Sequence, residues 1–187
     1  MRRAVAAHGS SYLRKPTEAD GREFVDCVLR EQSRLEPFVY ASETVSAYRT
    51  WIAKGNRVDV EQFLVCRRED DVIVGFVNIN NMTGGALQSG ALGWASFTTE
   101  QPRGHLTEGV AMVLEVAFTQ LRLHRLEANI QPSNERSRRL AIRAGFRLEG
   151  FSPRFLQIGG EWRDHERWAV SEEDWRDRRR RRRTEDR

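Results

Sequence analysis

Residues 128–151 read "ANIQPSNERSRRLAIRAGFRLEGF". A strand ending near Asn129 meets Pro132, which breaks the chain, and a short helix opens at Ser133 or Asn134. Gly145 is placed to end that helix as a left-handed cap. Asn134 and Ser137 are three residues apart, so they share the exposed face of the first turn. Two readings stand side by side. One is an N-cap with a surface serine. The other is a pair of polar groups aimed at a ligand between this helix and the preceding strand.

Working outward, "HRLEANI" is the strand that feeds this helix. Before it, "HLTEGVAMVLEVAFTQLRL" places Leu106, Val110, Val113, Leu114, Ala117 and Leu121 at helical spacing. Upstream, "EQFLVCRRED", "DVIVGFVNINNM" and "SGALGWASFTT" read as three strands, the first two joined by the acidic turn Glu69-Asp70-Asp71. "EADGREFVDCVLREQSRL" and "SETVSAYRTWIAKG" read as helices, the second capped by Ser42 and stopped by Gly55. "SSYLRKPTEAD" opens with a short strand, and "RFLQI" and "HERWAV" form a hairpin across Gly159-Gly160. The order β-α-α-β-β-β-α-β-α-β-β is that of an α/β domain with a mixed sheet, without a Rossmann repeat.

The 187 residues suit one compact domain, and 39% hydrophobic against 31% charged content excludes a disordered chain. No apolar run approaches the roughly 20 residues of a membrane span; Glu115 interrupts "VAMVLEVAF". The apolar stretch in "MRRAVAAHGSS" is too short for a signal peptide, so a cytoplasmic protein without membrane contact is expected. Cys27 and Cys66 lack a CxxC or histidine partner and read as core thiols, with no metal site. Of the net charge of +4, residues 171–187 carry half, with eight arginines and six acids. The body is therefore no strongly basic nucleic-acid binder. Residues 171–187 read as a charged, solvated, disordered tail, and its run Arg178–Arg183 offers RNA or ribosome contact through phosphate pairing as the sharper alternative.

"QPRGHLTEGV", residues 101–110, precedes the long helix. Residues 102–107 would present backbone N–H groups at a helix start, where the helix dipole favours an anion, and Arg103 adds a cation. By itself this is equally an ordinary helix start.

Taken together, "VGFVNINNMTGGALQSGALGW", "RGHLTEGV", "HRLEANIQPSNERSRRLAIRAGFRLEGF" and "GGEWRDHERWAV" resemble the GNAT superfamily of N-acetyltransferases. More narrowly, the chain is similar to the ribosomal-protein-alanine acetyltransferases of the RimJ/RimL type, over Tyr12 to Val170. The resemblance implies a GNAT domain over residues 1–170. Its mixed central sheet would have about seven strands and about four helices, with two strands splayed into an acetyl-CoA cleft. It places the pyrophosphate loop on residues 99–104, where Thr99 and Pro102 depart from the family pattern and Gly104 keeps it. Pro102 lacks an N–H. One lost charge-assisted hydrogen bond, about 1.5–3 kcal/mol, would weaken binding about 10- to 150-fold, and Arg103 would recover part of that. Gly104, His105, Leu106 and Thr107 complete the implied cofactor contacts. The resemblance also implies that backbone N–H groups of Ala95, Ser96 and Phe97 pair with the pantetheine arm and polarise the thioester. Asn134 would contact coenzyme A, and Ser137 would protonate the departing thiolate. Gly109 replaces the more usual alanine, with consequences limited to helix propensity.

The splayed strand carries no carboxylate to act as base. An α-amino group ionises near pH 8 and a lysine amine near about 10.4, so a peptide N-terminus needs only a weak acceptor for its proton. Asn78, Asn80 and Asn129 are candidates to hold a water or the substrate backbone, Asn129 being counted with Ser137 in the catalytic pair. Trp162 and Arg163 are candidates to line the acceptor entrance. Asp164 and His165 are adjacent and face opposite sides of a strand, which favours structural or substrate-lining roles. His105 and His124 have no partner that spacing supplies. The expected activity is acetyl transfer from acetyl-CoA to a primary amine, foremost the N-terminal α-amino group of a protein such as a ribosomal protein. The alternatives are a small-molecule amine, such as an antibiotic or metabolite, and a non-catalytic ribosome- or RNA-associated module. Either a monomer or a homodimer fits.

Overall fold

The computed structural model describes residues 4–97 and 104–185. Among these the elements are β1 Ala6–His8, β2 Ser11–Arg14, α1 Gly21–Arg30, α2 Gln32–Leu35, α3 Val45–Lys54, β3 Glu61–Arg67, β4 Ile73–Thr83 and β5 Ser89–Ser96. There follow α4 His105–Thr119, β6 Arg125–Ile130, α5 Glu135–Ala144, β7 Arg147–Ile158, β8 Glu161–Ser171 and α6 Glu172–Glu185. One eight-stranded sheet runs β1-β2-β3-β4-β5-β6-β8-β7. Every neighbouring pair is antiparallel except β5–β6. A parallel pair cannot be joined by a tight turn, so the chain crosses over through α4.

That parallel pair is short. β5 meets β6 only over Ser89–Ala91 against Arg125–Glu127. Beyond those residues the two strands diverge while each continues, β5 to Ser96 and β6 to Ile130. The sheet is thus split from its middle to one edge, giving the expected GNAT fold with its splayed strands.

Side-chain alternation sends residues to two cores. On one face α4 and α5 cover Val65, Val77, Leu92, Trp94, Ala128 and Trp168. On the other, α1–α3 cover Leu64, Cys66, Phe76, Ala95 and Phe97 around an aromatic cluster of Phe24, Tyr48 and Trp51. Both cysteines are free and buried there. Burial pushes both thiols up, as for any core cysteine.

Several sequence expectations change. The strand count is eight because β1, three residues long, pairs with β2 through the turn at Gly9 and Ser10. The helix count rises to six because the first predicted helix divides into α1 and the short α2, and because the tail folds. The cap of α3 is Thr44, whose Oγ accepts from Ala47 N at 3.1 Å, two residues beyond Ser42. Residues 172–185 form α6 where a disordered tail was expected. Three acids occupy its first turn, where they complement the helix dipole, and Asp174 N donates to Ser171 Oγ at 3.3 Å. Trp175 packs on Phe118 with ring centroids 5.4 Å apart, and Arg179 reaches Glu115 at 2.9 Å. Arg176 pairs with Glu172, and Arg178 donates to the Arg143 carbonyl. Arg178 and Arg179, the first two of the arginine run, are therefore engaged with the body. No described helix is long and apolar enough to cross a membrane.

Candidate active site

The split in the sheet opens into a cavity of about 470 Å³, a volume in the range of small-molecule sites. Six pieces of chain line it among the described residues: the inner ends of β5 and β6, the start of α4, one face of α5 from its cap to Arg143, α2 with the turn after it, and His165 of β8.

The start of α4 is shaped for close approach. Gly104 is its N-cap in the left-handed region, φ 70°, with no side-chain cap, and a Cβ placed there would meet nothing within 4 Å. Leu106 and Thr107 line the cavity beside it, and the amides of a first helical turn have no intrahelical partner. His105 is buried, and its Nδ1 lies 2.9 Å from Ser11 Oγ and 3.1 Å from Ser10 Oγ. Glu108 accepts from Ser10 N at 3.1 Å. The β1–β2 turn therefore clamps the first turn of α4, partners that spacing did not supply for His105. Thr99, Pro102 and Arg103 lie outside the described residues.

α5 contributes the pair read from sequence. Asn134 is its N-cap, Oδ1 accepting from Ser137 N at 3.1 Å, and Gly145 caps its other end at φ 99°. Both Asn134 and Ser137 line the cavity, so the capping role and the cavity-facing role coincide. Trp94 Nε1 donates to Ser137 Oγ at 3.3 Å. That bond occupies an oxygen lone pair and leaves the hydroxyl proton for another partner. The same helix wall carries Arg136, Arg139 and Arg143. These three were not singled out in the sequence, although their i, i+3, i+7 spacing already placed them on one stripe.

The strand donors need correction. Phe97 N donates to Val74 O at 2.9 Å, and its side chain is buried among the aromatic cluster. Alternation along the β4–β5 pair turns Ala95, opposite Phe76, toward β4 as well. The backbone groups that face the gap are those of Trp94 and Ser96. Ser96 O accepts from Arg34 Nη2 at 2.8 Å. Arg34 is held by Glu31 at 2.7 Å, and Gln131 Nε2 donates to Pro37 O at 2.7 Å. These bonds lash α2 and its following turn across the gap as a strap.

On β6, Asn129 lines the cavity with a buried Oδ1 that has no partner among the described residues. A polar atom in that state points to a ligand. His165 on β8 also lines the cavity, 2% exposed. Its Nδ1 lies 2.9 Å from Arg163 O, and burial pushes its pKa below the usual histidine value. Asn78 and Asn80 do not line the cavity. Asn78 turns its amide to accept from Trp51 Nε1 and donate to Val77 O, both at 3.3 Å. Asn80 pairs with Ala91 at the closed end of the gap. Trp162 is 61% exposed on the β7–β8 hairpin and Arg163 pairs with Glu161, both outside the lining. No Asp or Glu lines the cavity among the described residues.

Comparison with known proteins agrees with this architecture. The family model for the acetyltransferase (GNAT) domain matches residues 11–147. A probable N-acetyltransferase, YjcK, of Bacillus subtilis is 35% identical over 108 residues, covering 58% of this chain and 60% of that protein. The ribosomal protein uS5-alanine N-acetyltransferase of Escherichia coli is 32% identical over 107 residues, covering 57% of this chain and 55% of its own. The chain thus spans little more than half the length of these two relatives. Among solved structures, Mycobacterium smegmatis RimJ in complex with CoA-disulfide superposes with a TM-score of 0.81 at 30% identity, covering 88% of this chain and 83% of that one.

Proposed function

The chain belongs to the GNAT acetyltransferase family, and on that premise we propose that it moves the acetyl group of acetyl-CoA onto the α-amino group of a protein N-terminus. One observation carries the choice of acceptor. The cavity wall holds arginines and histidines and no carboxylate among the described residues. A polycationic small amine would meet like charge there. A peptide N-terminus brings one amine with its own amides, which suits the unpaired Asn129 Oδ1.

In this reading the first-turn amides of α4 and the arginines of α5 take the phosphates. The Trp94 and Ser96 backbone groups flank the extended arm and the thioester. The neutral amine attacks the acetyl carbonyl carbon, the C–N bond forms, and the C–S bond breaks. The Ser137 hydroxyl donates to the departing thiolate, while Asn129 orients the acceptor.

The test is calorimetry with acetyl-CoA, coenzyme A and desulfo-coenzyme A, followed by turnover on three acceptor sets. These are peptides with a free α-amine, the same peptides Nα-blocked with a free lysine, and linear polyamines. Binding of acetyl-CoA and coenzyme A, with turnover on the first set, is expected. Absence of binding at millimolar ligand removes the enzymatic reading, and faster turnover on polyamines removes the acceptor assignment.

A further inference from the structure

We propose that His165 is the base that takes the proton from the acceptor amine, a role that rests on the acetyl-transfer reading above. The placement follows from register. Asn129 of β6 lies opposite Arg167 of β8, and Leu126, Ala128 and Trp168 point to the α4–α5 face. Alternation then turns Asn129, His165 and Arg167 to the other face of the sheet, away from Ser137. The cavity is lined from both faces of the sheet. Ser137 meets it from the α5 side, where the thiolate leaves, and His165 from the side of the α2 strap.

The ring is fixed in one tautomer. A backbone carbonyl only accepts, so the 2.9 Å contact with Arg163 O requires Nδ1 to carry the proton. In the neutral ring Nε2 then holds a lone pair, and it has no partner among the described residues. Phe155 packs edge-on at 6.0 Å between centroids and holds the ring plane. A base needs that state: neutral, oriented, with its acceptor atom uncommitted.

The other charged groups on this side are already engaged. Glu31 of α2 is paired with Arg34, and Glu36 accepts from Gln32. Glu127 of β6 is shared by Arg125 and Arg167. On β8, Glu161 is paired with Arg163, and Asp164 accepts the backbone N–H of Arg154 from β7. A carboxylate held by a guanidinium is a poor proton acceptor. Gln131, just past β6 in the same lining, carries an amide that does not titrate.

Proton balance closes. The acceptor ammonium carries three protons and the product amide retains one. One passes to Nε2 and on to solvent, and the other reaches the coenzyme A thiolate through Ser137. Burial holds the imidazolium below the usual value. Taking a proton from an ammonium of pKa about 8 is then a modest climb, and from a lysine ammonium of about 10.4 a steep one. The base and the acceptor are matched.

The experiment has two independent readouts. In the first, His165→Ala and His165→Gln are compared with the full-length wild type on an α-amino peptide. The expected result is a kcat lower by about 10²- to 10⁴-fold, with acetyl-CoA affinity unchanged by calorimetry. The acid limb of kcat should disappear in both variants, and added imidazole should restore part of the activity of His165→Ala. A kcat within twofold of wild type, or an unaltered pH profile, overturns the role. In the second, ¹⁵N NMR of wild-type histidine rings should show His165 as the Nδ1–H tautomer, titrating below the usual value. An Nε2–H tautomer overturns the proposal without reference to any acceptor. Failure of wild type to acetylate any α-amino peptide would instead sink the acceptor assignment, and the NMR result would still decide His165.

Discussion

Gly109 lies where α4 crosses β3, and a Cβ added there would sit 2.6 Å from Cγ2 of the fully buried Val65. In an exposed helix, glycine to alanine gains about 1 kcal/mol from propensity alone, and propensity was all the sequence suggested for this position. The valine reverses the sign, because both of its methyls are within 3.1 Å of the added carbon and neither can swing away. Gly109→Ala should therefore lower unfolding free energy by about 1–3 kcal/mol, read from urea midpoints at constant slope. Pairing it with Val65→Ala should return part of the loss, since the two sites touch. Ser137 makes the complementary case on the functional side. Its hydroxyl is oriented by Trp94 and is not needed for the cap, which uses its backbone N–H. Ser137→Ala should reduce single-turnover rate while leaving acetyl-CoA dissociation within about threefold, or under about 1 kcal/mol. A variant with wild-type rate would remove the serine from the chemistry.

Among the elements, α6 is held to the body chiefly by one half-buried side chain, Trp175 against Phe118. Trp175→Ala should cost about 1–2 kcal/mol, below the 3–5 typical of a fully buried aromatic, and should open the arginine run to trypsin at native temperature. Unchanged proteolysis would show that the contacts of Arg179 with Glu115 and of Arg178 with the Arg143 carbonyl hold the helix without the indole. The acids of its first turn and the Ser171 cap stood in the sequence, but the repetitive arginines outweighed them in the reading. α5 was legible because its punctuation is local: Pro132, Asn134 and Gly145 each act within a turn. The α2 strap was not, because a four-residue helix has no periodicity and its position depends on Arg34 reaching Ser96 and Gln131 reaching Pro37. His165 shows the same limit. Adjacency placed it opposite Asp164, correctly, but only the register with β6 decides which of the two looks into the gap.

For the molecule as a whole, the buried Arg14–Asp20 pair ties the end of β2 to the start of α1, with N–O distances of 2.7 and 2.8 Å. Burial pushes the Asp20 carboxyl up, but hydrogen bonds from Arg14 and Thr17 outweigh it and hold the group below its usual value. Glu149 is also held down, at about 2, chiefly through hydrogen bonds from Arg125 and then Arg147. Both carboxylates ionise more readily folded than unfolded, so their contribution is present above the unfolded values near pH 4 and is lost as pH falls through the folded ones. His165, whose pKa is depressed by burial, adds a weaker loss beginning where an unfolded histidine takes its proton, near about pH 6.5. Stability measured by thermal unfolding should decline gently below pH 6.5 and steeply below pH 4. Asp20→Asn should cost about 3–5 kcal/mol at neutral pH and flatten the acid limb. At the same scale, the divergence of β5 and β6 beyond Ala91 and Glu127 leaves two strand edges facing one another inside the protein. Edges of this kind on a surface recruit foreign strands and invite aggregation. Among the described residues they are roofed by the strap on one face and α5 on the other. The opening therefore sorts visitors by thickness before chemistry begins: an extended chain one strand wide can thread it and continue the ladder, and a folded one cannot.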